Sequence, residues 1–223
     1  MIKSLIFDGF TLEDEQKFLE KGNSFTKEFG DGEVIFHIGD TPTHLYILLD
    51  GIVHVENLQP SGRKVLVNRF ENPGTVFGEV YLYLKDQPFD YQCVASRYAK
   101  VLLIPKEILL DTKDQEEFQE KMKNNMLSIL SHKAYYLNRR FLVFAEGSIR
   151  EKILKDLKQR LEREEVFTFY GTREEWASLL GIPRPSLSRE LVKLQEEGIL
   201  QIKRGKVIVK REDLDRGLDE LEA

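Results

Sequence analysis

Hydrophobic positions along the chain fall into three textures, and each predicts a different kind of element. Leu12, Phe18 and Leu19 share one face of a short helix over roughly 12–22, with Thr11 placed to cap it. From about Ser24 to Pro105 the apolar residues come in short runs rich in Val, Ile, Leu, Phe and Tyr, punctuated by Gly30, Gly32, Gly39, Gly51, Pro60, Gly62, Pro73, Gly74, Gly78 and Pro88. Val34-Ile35-Phe36-His37-Ile38 and Ile52-Val53-His54-Val55 alternate as half-buried strands do. Short strands with turn signals roughly every 8–12 residues predict an antiparallel β sandwich or barrel-like roll. No helical pattern of useful length interrupts this block, which argues against a parallel βαβ enzyme core.

The third texture runs from about Asp114 to Glu146 without a Gly or Pro. Leu127, Leu130, Ala134, Leu137, Phe141 and Phe144 follow the alternating three- and four-residue spacing of a two-stranded coiled-coil seam. A second stripe, Phe118, Met122, Met126 and Ile129, occupies another face and is suited to pack on the β domain. One helix with two apolar faces asks for two partners, although a buried helix of a monomer has the same spacing. Gly147 offers a hinge or break before a new helix from Ile149 to Leu161.

The last 60 or so residues carry the most specific local pattern. Thr172-Arg173-Glu174-Glu175 fits a capping box in front of a helix Arg173 to Leu180, with Trp176, Ala177 and Leu180 at core spacing. Gly181-Ile182 suits a tight turn, and a second helix begins near Arg184-Pro185-Ser186, where proline is tolerated in the first turn. Leu187, Leu191 and Leu194 point inward, which leaves Arg184, Ser186, Ser188, Arg189 and Lys193 toward solvent. Guanidinium groups there can bond bidentately to guanine in a major groove, and the hydroxyls can reach phosphates or base edges. Ile199 to Ile202, a basic tip Lys203-Arg204-Gly205-Lys206, and Val207 to Val209 read as a hairpin wing that tracks the phosphate backbone. An ordinary helical hairpin with solvated charges is the plain alternative, and the attached wing weighs against it.

Charge changes this picture only locally. The net charge is −5, yet Val166 to Arg211 holds nine Lys/Arg against five Asp/Glu, about +4, while acidic residues gather at Glu212, Asp213, Asp215, Asp219, Glu220 and Glu222. With 41% apolar and 32% charged residues the composition is that of a globular chain rather than a disordered one. No apolar run approaches the roughly 20 residues needed to cross a bilayer, and the first residues lack a secretory pattern, so a cytoplasmic location is expected and no membrane partner. The single Cys93 excludes an intramolecular disulfide and a four-cysteine iron-sulfur cluster. There is no HExxH, no Gly-rich phosphate loop and no nucleophile elbow, so the reading is not an enzyme.

The order of roll, long helix and winged helix-turn-helix resembles the Crp/Fnr (catabolite-activator) family of bacterial transcriptional regulators over nearly the whole chain. In the first domain the resemblance lies in Phe36-His37-Ile38-Gly39-Asp40, Leu45 to Gly51 and Pro73-Gly74-Thr75-Val76-Phe77-Gly78-Glu79. In the second it lies in Thr172 to Ala177, Gly181-Ile182-Pro183-Arg184, Ser188-Arg189-Glu190-Leu191 and Glu197-Gly198-Ile199-Leu200. Each piece alone is weak; their order and spacing are specific. The resemblance implies an α+β architecture: an N-terminal antiparallel β-roll, cyclic-nucleotide-binding-like, over 1–112, a dimerisation helix and hinge over 113–146, and a winged helix-turn-helix over 147–223. It implies a homodimer on double-stranded DNA, RNA polymerase as a partner, and a small-molecule effector. The expected DNA contacts are Thr172, Arg184, Ser186, Ser188, Arg189, Lys193, Arg204 and Lys206. Arg189 matches the family's guanine-reading arginine. Pro185 stands where many members have a glutamate that accepts from cytosine, so that base step should be read differently.

The cyclic-AMP-binding branch follows its Gly-Glu pair, about ten residues on, with an arginine that neutralises the cyclic phosphate. Here Gly78-Glu79 is followed by Phe89-Asp90-Tyr91, and a carboxylate repels a phosphate, so an effector other than cyclic AMP is expected. A pocket between roll and long helix, lined by Gly78, Glu79, Tyr81, Tyr83, Phe89, Tyr91, Tyr135, Tyr136 and Asn138, would suit an aromatic or other organic ligand, although tyrosines at such positions also simply fill cores. Two alternatives stay open: a regulator of the same fold that needs no effector, and a haem-based gas sensor using one of His37, His44, His54 and His132, none of which matches a known haem position. In the expected mechanism the effector shifts the long helix or the Phe144-to-Gly147 hinge, so that two recognition helices sit about 34 Å apart.

Overall fold

The computed structural model describes residues 2–59, 62, 64–110, 117–161, 166–169, 172–203 and 206–222, without the side chains of residues 117, 118, 169 and 222. It divides into two compact units, Met1–Lys133 and Ala134–Ala223.

In the first unit a short helix α1 (Leu12–Lys21) begins at Thr11, whose hydroxyl accepts from the Asp14 amide while the Asp14 carboxylate accepts from the Thr11 amide. A roll of antiparallel strands follows: β1 (Phe25–Phe29), β2 (Val34–Phe36), β3 (His44–Leu58), β4 (Lys64–Phe70), β5 (Val76–Phe77) and β6 (Gln92–Pro105). The sheet order is β1-β6-β3-β4, with β2 on β6 and β5 on β3. The two long strands pair from His44 opposite Pro105 to Glu56 opposite Gln92, and register shifts near Asp50 and Gly51 bend them. The expected strand over 34–38 stops at Phe36, because the His37 amide turns to the Asp40 carboxylate at 2.8 Å. A four-residue helix α2 (Glu79–Leu82) and a five-residue helix α3 (Lys106–Leu110) belong to the same unit.

A long helix α4 (Glu117–Ala145) runs through the boundary between the units. Met122, Met126 and Ile129 are buried with Phe7, Phe18, Leu45, Ile47 and Ile104, as the second apolar stripe predicts; the Phe118 side chain lies outside the described residues. Farther along, Val143 is buried with the core of the second unit. The division between the two compact units falls inside this helix, whose two ends bury their apolar residues in different cores.

The second unit continues with α5 (Ile149–Arg160), β7 (Val166–Phe169), α6 (Arg173–Leu180), α7 (Arg184–Glu196), β8 (Gln201–Lys203), β9 (Lys206–Lys210) and α8 (Arg211–Glu222). Its core gathers Ile153, Leu154, Leu157, Trp176, Leu180, Leu187, Leu191, Leu194, Leu200, Val209 and Leu214. Each buried leucine of this kind contributes about 1.5–3 kcal/mol. Strand β7 pairs with β9, which makes the expected hairpin a three-stranded antiparallel sheet of order β7-β9-β8. The acidic C-terminal segment is helix α8: Leu214 and Leu218 face the core, while Glu212, Asp215, Asp219 and Glu220 stay in solvent. Neither β7 nor α8 is predicted from the sequence pattern.

Candidate nucleic-acid interface

Helix α6 starts with the expected capping box: the Glu175 amide donates to the Thr172 hydroxyl at 3.1 Å and the Thr172 amide donates to the Glu175 carboxylate at 2.7 Å. Trp176 is buried beneath it, and its indole N–H donates to Asp156 Oδ2 of α5 at 2.8 Å, with Arg160 Nε at 2.8 Å from the same oxygen. The chain leaves α6 through Gly181 at φ +63°, the left-handed conformation that favours glycine. A side chain here would also collide with the ring of Phe144, since a Cβ would lie 2.7 Å from Phe144 Cε1. The Arg140 guanidinium donates to the Leu179 carbonyl at 3.1 Å, and Gln159 donates to the Arg139 carbonyl at 3.0 Å. The last turns of α4 are thus braced against α5 and the helix-turn-helix.

Helix α7 takes Pro183 as its N-cap, with Arg184 and Pro185 in the first turn, where proline has no amide to leave unsatisfied. Leu187, Leu191 and Leu194 are fully buried. At 3.6 residues per turn Arg189 stands almost opposite them, with Ser186 and Lys193 on one flank and Arg184 and Ser188 on the other. Arg184, Arg189 and Lys193 are exposed, and Ser186 and Ser188 are half-buried. Their partners are weak: Arg189 Nη2 lies 3.4 Å from Ser186 Oγ, Arg184 Nε 3.7 Å from Glu174, and Lys193 Nζ 3.6 Å from Glu190. Solvated pairs of this kind are readily exchanged for phosphate or base partners. The wing is tied to α7 by the Ile202 amide, which donates to Gln195 Oε1 at 2.9 Å. Lys206 is exposed at the start of β9; Arg204 lies outside the described residues.

On α5 Arg150, which the sequence reading does not single out, meets Glu190 of α7, Glu197 at the C-cap of α7 and Glu220 of α8. The guanidinium holds the Glu197 carboxyl below the usual glutamate range, and that carboxylate in turn raises Arg150.

Of the seam residues, Leu127 (65%), Leu137 (58%) and Phe141 (71%) are widely exposed, Ala134 and Phe144 are exposed, and Leu130 is half-buried. Phe144 also lies against Gly181.

The residues expected around an effector are distributed unevenly. Gly78 turns into α2 at φ +78°, and a Cβ there would lie 2.8 Å from the Tyr46 ring. Glu79 is only 2% exposed and meets Lys133 Nζ of α4 at 2.8 Å; the same ammonium donates to the Val76 carbonyl at 2.6 Å and lies over the Phe70 ring. Phe89 is buried and stacked on Phe36 at 3.9 Å between centroids. Contacts from Phe36 to Tyr46, Tyr46 to Phe77 and Phe77 to Phe70 extend the chain of rings, with Tyr81 edge-on to Phe89. The Tyr81 hydroxyl donates to Asp90 at 3.4 Å, and burial pushes its phenol up to about 12. Tyr91 is half-buried and Tyr83 exposed. Tyr135, Tyr136 and Asn138 are exposed on the part of α4 that belongs to the second unit. Lys133 is missing from the sequence-based set, although it continues the stripe Met122, Met126, Ile129 at the next helical step.

Comparison with known proteins places these features. Residues 26–116 match the Cyclic nucleotide-binding domain family, and residues 151–216 match the Crp-like helix-turn-helix domain family. The chain is 29% identical over 89 residues to the HTH-type transcriptional regulator ArcR of Staphylococcus haemolyticus, a match spanning 40% of this chain and 38% of that relative. It is 23% identical over 188 residues to ArcR of Staphylococcus epidermidis, covering 81% of this chain and 79% of the relative. Among solved structures, the cyclic di-GMP-responsive global regulator CLP of Xanthomonas campestris superposes with a TM-score of 0.70 at 19% identity, covering 87% of this chain and 99% of that one. A CRP-family transcriptional regulator of Thermus thermophilus superposes with a TM-score of 0.65 at 22% identity, covering 86% and 96%.

Proposed function

We propose that the chain, which matches the Cyclic nucleotide-binding domain and Crp-like helix-turn-helix domain families, is a Crp-family transcriptional regulator that works as a cytoplasmic homodimer on a near-palindromic site. Helix α7 enters the major groove and the wing follows the backbone. The observation that carries this reading is the solvent side of α7, where Arg189 stands opposite Leu187, Leu191 and Leu194 and the exposed Arg184 and Lys193 flank it. Two copies pair along the exposed Leu127, Leu137 and Phe141 stripe of α4, whose heptad spacing fits knobs to a partner's holes. RNA polymerase is the further partner that a regulator of this kind contacts.

Control by a small molecule other than cyclic AMP is part of the proposal. CLP responds to cyclic di-GMP, so an effector other than cyclic AMP has a precedent among chains of this fold. Asp90 would repel a cyclic phosphate, and the Glu79 carboxylate already has a cation in Lys133. A specific observation also favours a second reading, regulation without any effector: the rings of Phe36, Tyr46, Phe77 and Phe89 pack on one another inside the roll.

Substitution of Arg189 by alanine tests the first claim. Affinity for a duplex selected in vitro by the wild-type protein should fall by about 1–3 kcal/mol per half-site, with guanine preference relaxed. Unchanged affinity and base preference would remove α7 from the role of reader. Mass and absorbance spectra of the protein as purified separate the effector readings: a bound organic molecule supports control, a ligand-free protein that binds the selected duplex supports independence, and a Soret band would redirect the assignment to haem.

A further inference from the structure

Arg150 lies in the first turn of α5, two residues past the Ser148 cap, and its guanidinium is divided between Glu190 of the reading helix and Glu197, which caps that helix. Nη1 is 3.5 Å from Glu190 Oε1 and Nη2 is 2.5 Å from Glu197 Oε2, while Glu220 of α8 approaches Nη2 at 3.9 Å. Glu190 and Glu197, the residue that caps the C-terminus of α7, are seven residues apart, about two helical turns, and therefore lie on the same side of α7. That face adjoins the flank carrying Ser186 and Lys193, and Glu190 directly follows Arg189 in the chain.

The three buried leucines set how deeply α7 sits, but apolar contact is non-directional and constrains rotation about the helix axis only loosely. A guanidinium is different: it is a planar fork of five donors whose direction is fixed. With one arm on Glu190 and the other on Glu197, Arg150 fixes both the rotation and the axial register of α7 against α5. A rotation of about 20° would carry a guanidinium about 6 Å from the axis through about 2 Å, enough to lose a hydrogen bond to a base edge. The contact also keeps Glu190, whose side chain is 16% exposed, turned toward the body of the unit. Released, that carboxylate would face the phosphates beside Arg189 and repel them.

We propose that Arg150 is a positioning residue for DNA recognition: it touches no base itself, aims Arg189 through Glu190 and Glu197, and holds a carboxylate away from the backbone. The proposal rests on α7 being the reading helix. Partly exposed ion pairs add little to folding stability, so the effect should appear in DNA reading rather than in melting.

The test uses full-length protein and two probes: a duplex selected in vitro from a randomised pool by the wild type, and a random duplex of about 30 base pairs. The readout is the ratio of the two affinities. Arg150→Met should lower that ratio about tenfold with a small shift in melting temperature, and should weaken binding to both probes. Adding Glu190→Gln should return the random-duplex affinity toward the wild-type value while the ratio stays low, because charge is relieved but aim is not. If Arg150→Met does not fold, Glu197→Ala, which removes the shortest contact, should still lower the ratio about threefold. An unchanged ratio in whichever variant folds overturns the proposal. Arg189→Ala run alongside separates the two failures: a collapsed ratio there with an intact one in the Arg150 variant rejects only the positioning role, whereas intact ratios in both reject α7 as reader.

Discussion

In the winged-helix unit the cations of α7 stand in water above a floor of leucines, and the carboxylates paired with Arg184 and Lys193 are 3.7 and 3.6 Å away and easily left. In the roll the acidic residue at the start of α2 is buried at 2% exposure, and its cation reaches it from α4, 54 residues later in the chain. One region keeps charge available for an outside partner; the other satisfies a buried charge from within. A buried carboxylate without a cation is costly, so Lys133 and Glu79 hold roll and helix in one arrangement, while the α7 cations can exchange partners at little cost. The two kinds of charge should therefore respond to substitution in opposite ways.

The largest effect should come from the outward set. Arg189→Ala, besides its loss of DNA affinity, should leave unfolding in urea unmoved, because its weak contact to Ser186 contributes little. A stability loss of more than about 1 kcal/mol would mean that Arg189 has a structural role the comparison denies it. Next comes the inward pair. Lys133→Met strands the Glu79 carboxylate and should cost the roll about 2 kcal/mol; the figure is set below the 3–5 kcal/mol of a fully buried pair because the lysine side chain is 29% exposed. Adding Glu79→Gln should recover more than half of the loss. The lone tryptophan, Trp176, lies in the winged-helix core, so its fluorescence reports that unit while far-ultraviolet dichroism reports both. For Lys133→Met the dichroism transition should move and the fluorescence transition should not. The smallest effect is on the other core: Gly181→Ala forces a left-handed alanine against Phe144 and should cost about 1–2 kcal/mol, visible in the fluorescence transition. An unmoved transition would mean that the turn relaxes around the added methyl group.

The same contrast explains what could be read from the chain. The helix-turn-helix was legible because its signals are local: the Thr172–Glu175 box, the glycine at 181, the proline in the first turn of α7 and the leucine spacing all act within a few residues. The long strands were legible as runs of alternation, although the join of two runs across Gly51 into the single strand β3 was not, since only pairing with β6 makes it continuous. Strand β7 is four residues long and is recognisable only by its partner β9, and the acidic charges of α8 hide the spacing of Leu214 and Leu218. Lys133 and Arg150 were missed for a related reason. A lysine at the end of an apolar stripe and an arginine in a charged helix look solvated until the fold brings a carboxylate from a distant segment. The expected aromatic pocket shows the converse: Phe89 and Tyr81 do come together, but as members of a chain of packed rings.

The central claim is that two chains join through the exposed stripe of α4 to present two copies of α7 to one duplex. Sedimentation of the protein with an operator-length duplex, at concentrations spanning the binding transition, counts the chains directly. The account predicts two chains per duplex, and a Phe141→Asp variant that binds as single chains with affinity lowered at least about a hundredfold. A wild-type complex holding one chain at saturation would contradict it.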